Sequence, residues 1–136
     1  MSNEAVIVEL LGEPKGCPVR FTCPSDTSIS KGTILKLSDA RVVAVGTTPT
    51  DTFAGIAAHD KDGSDSSTEI TAYTKGIFDL YTDATITAGM FVGMSGSNLV
   101  NQATDASISG GCLIGKALET SAAGTPETIN VAVGIY

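Results

Sequence analysis

The chain repeats itself, and nothing else in the sequence constrains its fold as strongly. Displaced by about 57 residues, the run Asp26-Thr27-Ser28-Ile29-Ser30-Lys31-Gly32-Thr33-Ile34-Leu35-Lys36-Leu37-Ser38 aligns with Asp83-Ala84-Thr85-Ile86-Thr87-Ala88-Gly89-Met90-Phe91-Val92-Gly93-Met94-Ser95. Phe21 falls on Phe78 and Val42-Val43 on Leu99-Val100; after a three-residue insertion, Phe53-Ala54-Gly55 falls on Leu113-Ile114-Gly115. Such self-similarity marks a duplicated structural unit. In each copy Ile29 or Ile86 anchors a turn and Gly32 or Gly89 allows a tight backbone start. A hairpin tipped by Ser-Asp or Ser-Gly follows. One unit alone leaves strand edges open and buries little apolar surface. The two are therefore expected to pair around one core.

Between the Ser-, Thr- and Gly-rich clusters the apolar residues come in short, alternating runs, which is the pattern of strands. Strands are expected at 5–11, 19–23, 33–37, 41–45, 53–59, 69–81, 90–94, 98–100, 112–118 and 128–135, and at most a helical turn or two at 102–108. The expected fold is all-β: a small barrel or sandwich of two similar halves related by a pseudo-twofold repeat, with an extended N-terminal arm. One domain spans 1–136, divided into an arm at 1–18, a first repeat at 19–75 and a second at 76–136. The arm joins the apolar run Ala5-Val6-Ile7-Val8-Glu9-Leu10-Leu11 to a turn-rich stretch with Pro14, Gly16 and Pro18. An edge strand folded onto its own barrel is the alternative for this run.

Composition narrows the function. Eight Lys and Arg against 15 Asp and Glu give a formal charge of −7. The basic residues are scattered, so the field repels phosphate and nucleic acid is not an expected partner. No apolar stretch reaches the roughly 18 to 20 residues that cross a bilayer, and the start Met1-Ser2-Asn3-Glu4 lacks the basic region of a secretory signal. No membrane association is expected. Three irregularly spaced cysteines argue against a disulfide framework and for reduced thiols at synthesis, as in a cytosol.

Catalytic patterns are weak. His59 is the single histidine, so any His-based proton relay has to use it. Gly93-Met94-Ser95-Gly96-Ser97 misses the G-x-S-x-G nucleophile elbow at its last position, and Ser95 aligns with Ser38 at a hairpin tip. Cys17, Cys23, Cys112 and His59 have the count for structural zinc but not its spacing. The Asp60-Lys61-Asp62-Gly63-Ser64-Asp65 loop fails the helix-flanked calcium motif at Asp65 and Thr71, leaving Asp60, Asp62, Asp65 and Glu69 as a looser possible cage. No enzyme activity, cofactor or metal is expected.

Three segments together resemble the capsid decoration, or cement, proteins of tailed bacteriophages: Met1-Ser2-Asn3-Glu4-Ala5-Val6; Ser30-Lys31-Gly32-Thr33-Ile34-Leu35-Lys36-Leu37-Ser38-Asp39 running to Phe53-Ala54-Gly55-Ile56-Ala57; and Tyr73-Thr74-Lys75-Gly76-Ile77-Phe78-Asp79-Leu80. The resemblance implies a structural virion protein on the outer capsid surface that stabilises the head by bridging major capsid subunits, as a trimer or other homo-oligomer. It places the arm at about 2–20, with Val6, Ile7, Val8, Leu10 and Leu11 as its apolar contacts. A glycan-binding or adhesion module of a virion is the alternative, and would need exposed aromatic rings.

Overall fold

The computed structural model describes residues 4–10, 18–104, 109–122 and 126–134. Eleven strands form: β1 (Val6–Leu10), β2 (Val19–Thr22), β3 (Ile34–Asp39), β4 (Val42–Val45), β5 (Phe53–Ala57), β6 (Glu69–Tyr73), β7 (Gly76–Thr82), β8 (Phe91–Gly96), β9 (Leu99–Gln102), β10 (Leu113–Ala117) and β11 (Glu127–Val133). The run expected as one strand over 69–81 is two, because the chain crosses between the halves at Thr74-Lys75-Gly76. A β-carbon on Gly76 would lie 2.9 Å from the Glu9 carbonyl oxygen, so only glycine lets β1 come this close. The helical turn expected at 102–108 falls largely outside the described residues.

Each half closes on itself. β2-β4-β3-β5-β6 form one five-stranded barrel, and β7-β11-β10-β8-β9 form a second. In both, one short parallel contact completes the ring, Thr22 with Val42 and Tyr81 with Leu99. Closure removes the strand edges that a half would otherwise expose.

The duplication is reproduced bond for bond. Ile29 bridges Lys61 as Ile86 bridges Ser121. Gly32 N donates to Ala57 O and Gly89 N to Ala117 O, both 2.8–2.9 Å. The two glycines sit at φ 90° and 92°, and the hairpin tips place Arg41 and Asn98 at the same φ of 56°. The bulges at 37–39 and 94–96 also coincide. Lys61 is almost fully buried, with its Nζ donating to Ser25 O and to Thr27 O (2.9 Å); in the second barrel the Ser121 hydroxyl donates to Ala84 O (2.8 Å). Both side chains satisfy the carbonyl of the same turn, the longer one by folding its aliphatic stem inward.

Two apolar clusters fill the molecule. Cys23, Ile29, Leu35, Val43, Ala57, Ile70 and Ala72 fill the first barrel. Phe78, Leu80, Val92, Met94, Val100, Ile114, Ile129 and Val131 belong to the second, and Ile34 and Ile56 of the first barrel join this cluster. The alternation of β3 thus sends Leu35 into its own barrel and Ile34 towards the neighbour. The single core expected from the sequence is replaced by two barrel cores, one of which extends across the junction.

The halves meet through non-equivalent surfaces. The β8–β9 tip of the second barrel reaches the first, where Asn98 Oδ1 accepts a hydrogen bond from Ile34 N at 2.9 Å. Met94 packs so closely on Gly46 that a β-carbon there would lie 2.5 Å from its Cε. Among the described residues, the matching tip of the first barrel makes no comparable contact with the other barrel. Leu37, the counterpart of buried Met94, is 43% exposed.

Candidate interaction surfaces

β1 is a strand added to a closed barrel. Its register on β7 runs from Val6 opposite Asp79 to Leu10 opposite Gly76, with an irregularity between Ile7 and Glu9. Alternation turns Val6 (58% exposed) and Val8 (49%) out and Ile7 in, and the shift then brings Leu10 to the inward side, so that Ile7 and Leu10 both pack on the second barrel's core. Leu11, the last residue of the expected contact run, lies outside the described residues. The strand also touches the first barrel, where Ala5 N donates to Gly32 O at 2.7 Å. A crevice of about 530 Å³ lies between β1 and the barrels, lined by Glu4, Val6, Ile7, Lys31, Ile56 and Phe78 among others.

The large apolar side chains exposed among the described residues are Val6, Val8, Leu37, Met90 and Leu118. Two lie on β1. The others lie on the first barrel's β3–β4 hairpin (Leu37) and on the second barrel's face beside Gly89 (Met90 and Leu118).

The residues with possible chemistry serve structure instead. His59 Nδ1 lies 3.1 Å from the Asp60 carbonyl, and Nε2 accepts from Thr71 N at 3.2 Å. A carbonyl can only accept, so the proton sits on Nδ1 and the ring ties a loop to β6. Ser95 lies within β8 beside its bulge, not on a strand-to-helix elbow. Cys23 and Cys112 are free, buried thiols, and Cys17 lies outside the described residues. Burial pushes the Cys23 thiol up; the Lys61 charge opposes this and Asp65 adds to it. Cys112 Sγ lies 3.5 Å from Thr50 O, at the junction of the barrels.

The acidic loop does not gather into a cage. Asp60 caps Lys31 N at 2.6 Å, Asp62 accepts from Ser64 N and Oγ at 2.9 Å, and Asp65 accepts from Ser67 N at 2.8 Å. Asp62 and Asp65 thus each close their own turn while Asp60 ties the loop to Lys31, and the bonds from Ser64 hold Asp62 below the ordinary carboxylate range. Among the described residues no group of three or more His, Cys, Asp or Glu converges as metal ligands would.

Most of the described aromatic rings are committed to the structure, and Tyr81 on β7 is half-buried. Phe78 is fully buried, Phe53 and Tyr73 pack on the core, Phe21 lies under Arg41 (5.6 Å to the ring centroid) and Phe91 under Lys116 (5.5 Å). Tyr136 lies outside the described residues.

The chain is thus a tandem of closed barrels whose exposed large apolar groups, among the described residues, lie on one added strand, one hairpin and one barrel face. The model of the phage cement protein family covers residues 14–134, and the chain belongs to that family. It is a structural virion protein of phage origin, associated with the capsid. No curated protein matches the chain. Among solved structures it is similar to the head fiber gp8.5 N base of bacteriophage phi29, at 17% identity and a TM-score of 0.53, over 85% of this chain and 94% of that one. At that identity the likeness concerns the fold.

Proposed function

We propose that the chain is a non-enzymatic decoration protein that binds the outer surface of the phage head and bridges neighbouring major capsid subunits, in homo-oligomers that assemble after synthesis in the host cytoplasm. The observation that carries this is the outward pair Val6 and Val8 on β1, a strand held in place by its own barrel and therefore preorganised to bind. Ile7 and Leu10 anchor the strand; Val6 and Val8 contact the capsid. The acidic surface suits a shell that keeps particles soluble and apart from packaged nucleic acid. Contacts of about 1,200 to 2,000 Å² per copy are modest singly and are reinforced when clustered copies bind together.

The test uses undecorated, expanded heads of the cognate phage. Wild-type protein co-sediments with them, and a Val6→Asp, Val8→Asp double variant of unchanged melting temperature does not. Full binding by the variant refutes the assignment to β1; no binding by wild type refutes the capsid reading.

A further inference from the structure

We propose that Pro18 and Arg41 guard the outer edge of β2 against the addition of a further strand, so that of the two duplicated barrels only the second carries one. The guard goes beyond the capsid reading and acts whether or not β1 meets a capsid.

Duplication makes two versions of the edge on which β1 sits. Ala57 pairs with Ala72 as Ala117 pairs with Val131, so Phe21, opposite Ile70, corresponds to Leu80, opposite Ile129. The parallel contacts agree, since Thr22 meets Val42 where Tyr81 meets Leu99. This register differs from the fixed displacement that sets Phe21 on Phe78, because two more residues separate Thr22 from Ile29 than separate Tyr81 from Ile86. In it Arg20 stands where Asp79 does and Pro18 where Ile77 does. Asp79 and Ile77 are the residues of β7 opposite Val6 and Glu9 of β1. Among the described residues β2 has no such added partner: β6 lies along one edge, and β4 meets the other only at Thr22.

The backbone at that free edge is closed to pairing. Thr22 N donates to Arg41 O at 2.9 Å, whereas Cys23 N donates the other way, to Thr68 O just before β6, at 2.8 Å. Successive residues of a strand direct their backbone groups to opposite edges, so Arg20 and Pro18 turn theirs outward with Thr22. An added antiparallel strand needs both N–H and carbonyl groups there. Pro18 has no N–H, and Arg20 O is taken by Arg41, whose Nη2 donates to it at 2.6 Å while the guanidinium lies over the Phe21 ring at 5.6 Å. That leaves the N–H of Arg20, where β7 offers those of both Ile77 and Asp79.

β2 is also short, four residues against the seven of β7. Short strands, prolines and charged side chains are the means by which sheet edges avoid pairing with unrelated strands. Arg41 holds a φ of 56°, which arginine adopts rarely, and its counterpart Asn98 shows that asparagine fits the same hairpin tip. The longer side chain is what reaches β2. With the guard in place a strand of the pattern of β1 finds one edge to pair with, and Val6 and Val8 are presented from the second barrel alone.

A labelled peptide of residues 4–10 reads the guard by fluorescence anisotropy on the full chain, without any capsid. The double variant Pro18→Val, Arg41→Asn restores an N–H and frees the Arg20 carbonyl. It binds the peptide at least about tenfold more tightly than wild type, whose β7 edge is already filled, as two regained hydrogen bonds require. The same peptide N-methylated at Val6, which cannot form the ladder, does not bind. Two hydrogen-exchange measurements stand apart from the folding of that variant. In free wild type the Arg20 amide exchanges fast. In Ile77→Pro, which carries the proline over to the second barrel, amide exchange along β1 speeds up while β10 and β11 stay protected. Equal peptide affinity for wild type and the double variant, a slow Arg20 amide in free wild type, or β1 protected as before in Ile77→Pro overturns the proposal.

Discussion

Asn98 carries the most polar part of the internal junction, and its substitution tests how the barrels are held. Its side chain is 1% exposed, accepts from Ile34 N at 2.9 Å and reaches Glu4 Oε2 at 3.5 Å. Its φ of 56° is one that asparagine tolerates and most residues do not. Asn98→Gly keeps the backbone relaxed and removes the acceptor, stranding a buried N–H at a cost of about 1–3 kcal/mol. The duplication supplies the control: Arg41 has the same φ at an exposed tip, so Arg41→Gly loses only a surface hydrogen bond and a cation–π contact, about 0.5–1 kcal/mol, partly offset by relief of the backbone. At roughly 3–5 °C per kcal/mol for a chain of this size, thermal unfolding should place Asn98→Gly several degrees below wild type and Arg41→Gly within about 2–3 °C of it. Equal melting temperatures for the two would refute the claim that Asn98 joins the barrels.

The other predictions use the same duplication and the surroundings of single side chains. Gly32→Ala and Gly89→Ala bear the same positive-φ strain, but only the first collides with β1, so urea denaturation should show Gly32→Ala the more destabilised by at least about 1–2 kcal/mol. Burial alone would raise the Asp51 carboxyl; hydrogen bonds from Thr47 N and Thr48 N, a bond from the Thr48 hydroxyl and the Lys36 charge outweigh it and hold the carboxyl below the ordinary range. A depressed carboxylate stabilises the fold above the unfolded pKa and loses that contribution as pH falls through the folded one. Asp51→Asn should therefore cost about 1–2 kcal/mol at neutral pH, a gap that closes below pH 3.8 and is followed by melting temperature against pH. Mass spectrometry after brief alkylation at neutral pH should find Cys23 and Cys112 unmodified in the folded protein and modified in urea; rapid labelling of native Cys23 would contradict its burial.

The duplicated barrels were legible because the signals that build them are local. Turn glycines, Ile29 and Ile86, and the alternating strands after Gly32 and Gly89 depend on near neighbours and so survive in both copies. What joins the copies is not local. Leu37 and Met94 occupy the same place in the same hairpin, and only contacts more than 40 residues away bury one and leave the other in water. The division within β1 was hidden for a similar reason: Val6, Ile7, Val8 and Leu10 read as a uniformly apolar run, and the bulge that brings Leu10 onto the inward side with Ile7 arises in pairing with β7. Burial also changes what deletion tests. Removing the arm would strip Ile7 and Leu10 from the second barrel's core, so exchanging the outward valines isolates binding where truncation does not. Lys61 looked like part of an acidic, solvated loop, and its inward fold follows from two turn carbonyls that the sequence does not place beside it.

The central claim is tested most directly by cryo-electron microscopy of undecorated, expanded heads incubated with the purified protein. The account predicts ordered density on the outer surface, at fixed local symmetry positions, with β1 and its Val6 and Val8 side chains against the major capsid protein and each cluster spanning two or more capsid subunits. Heads that stay bare at saturating protein, or density that touches only one capsid subunit and leaves β1 in solvent, would contradict it.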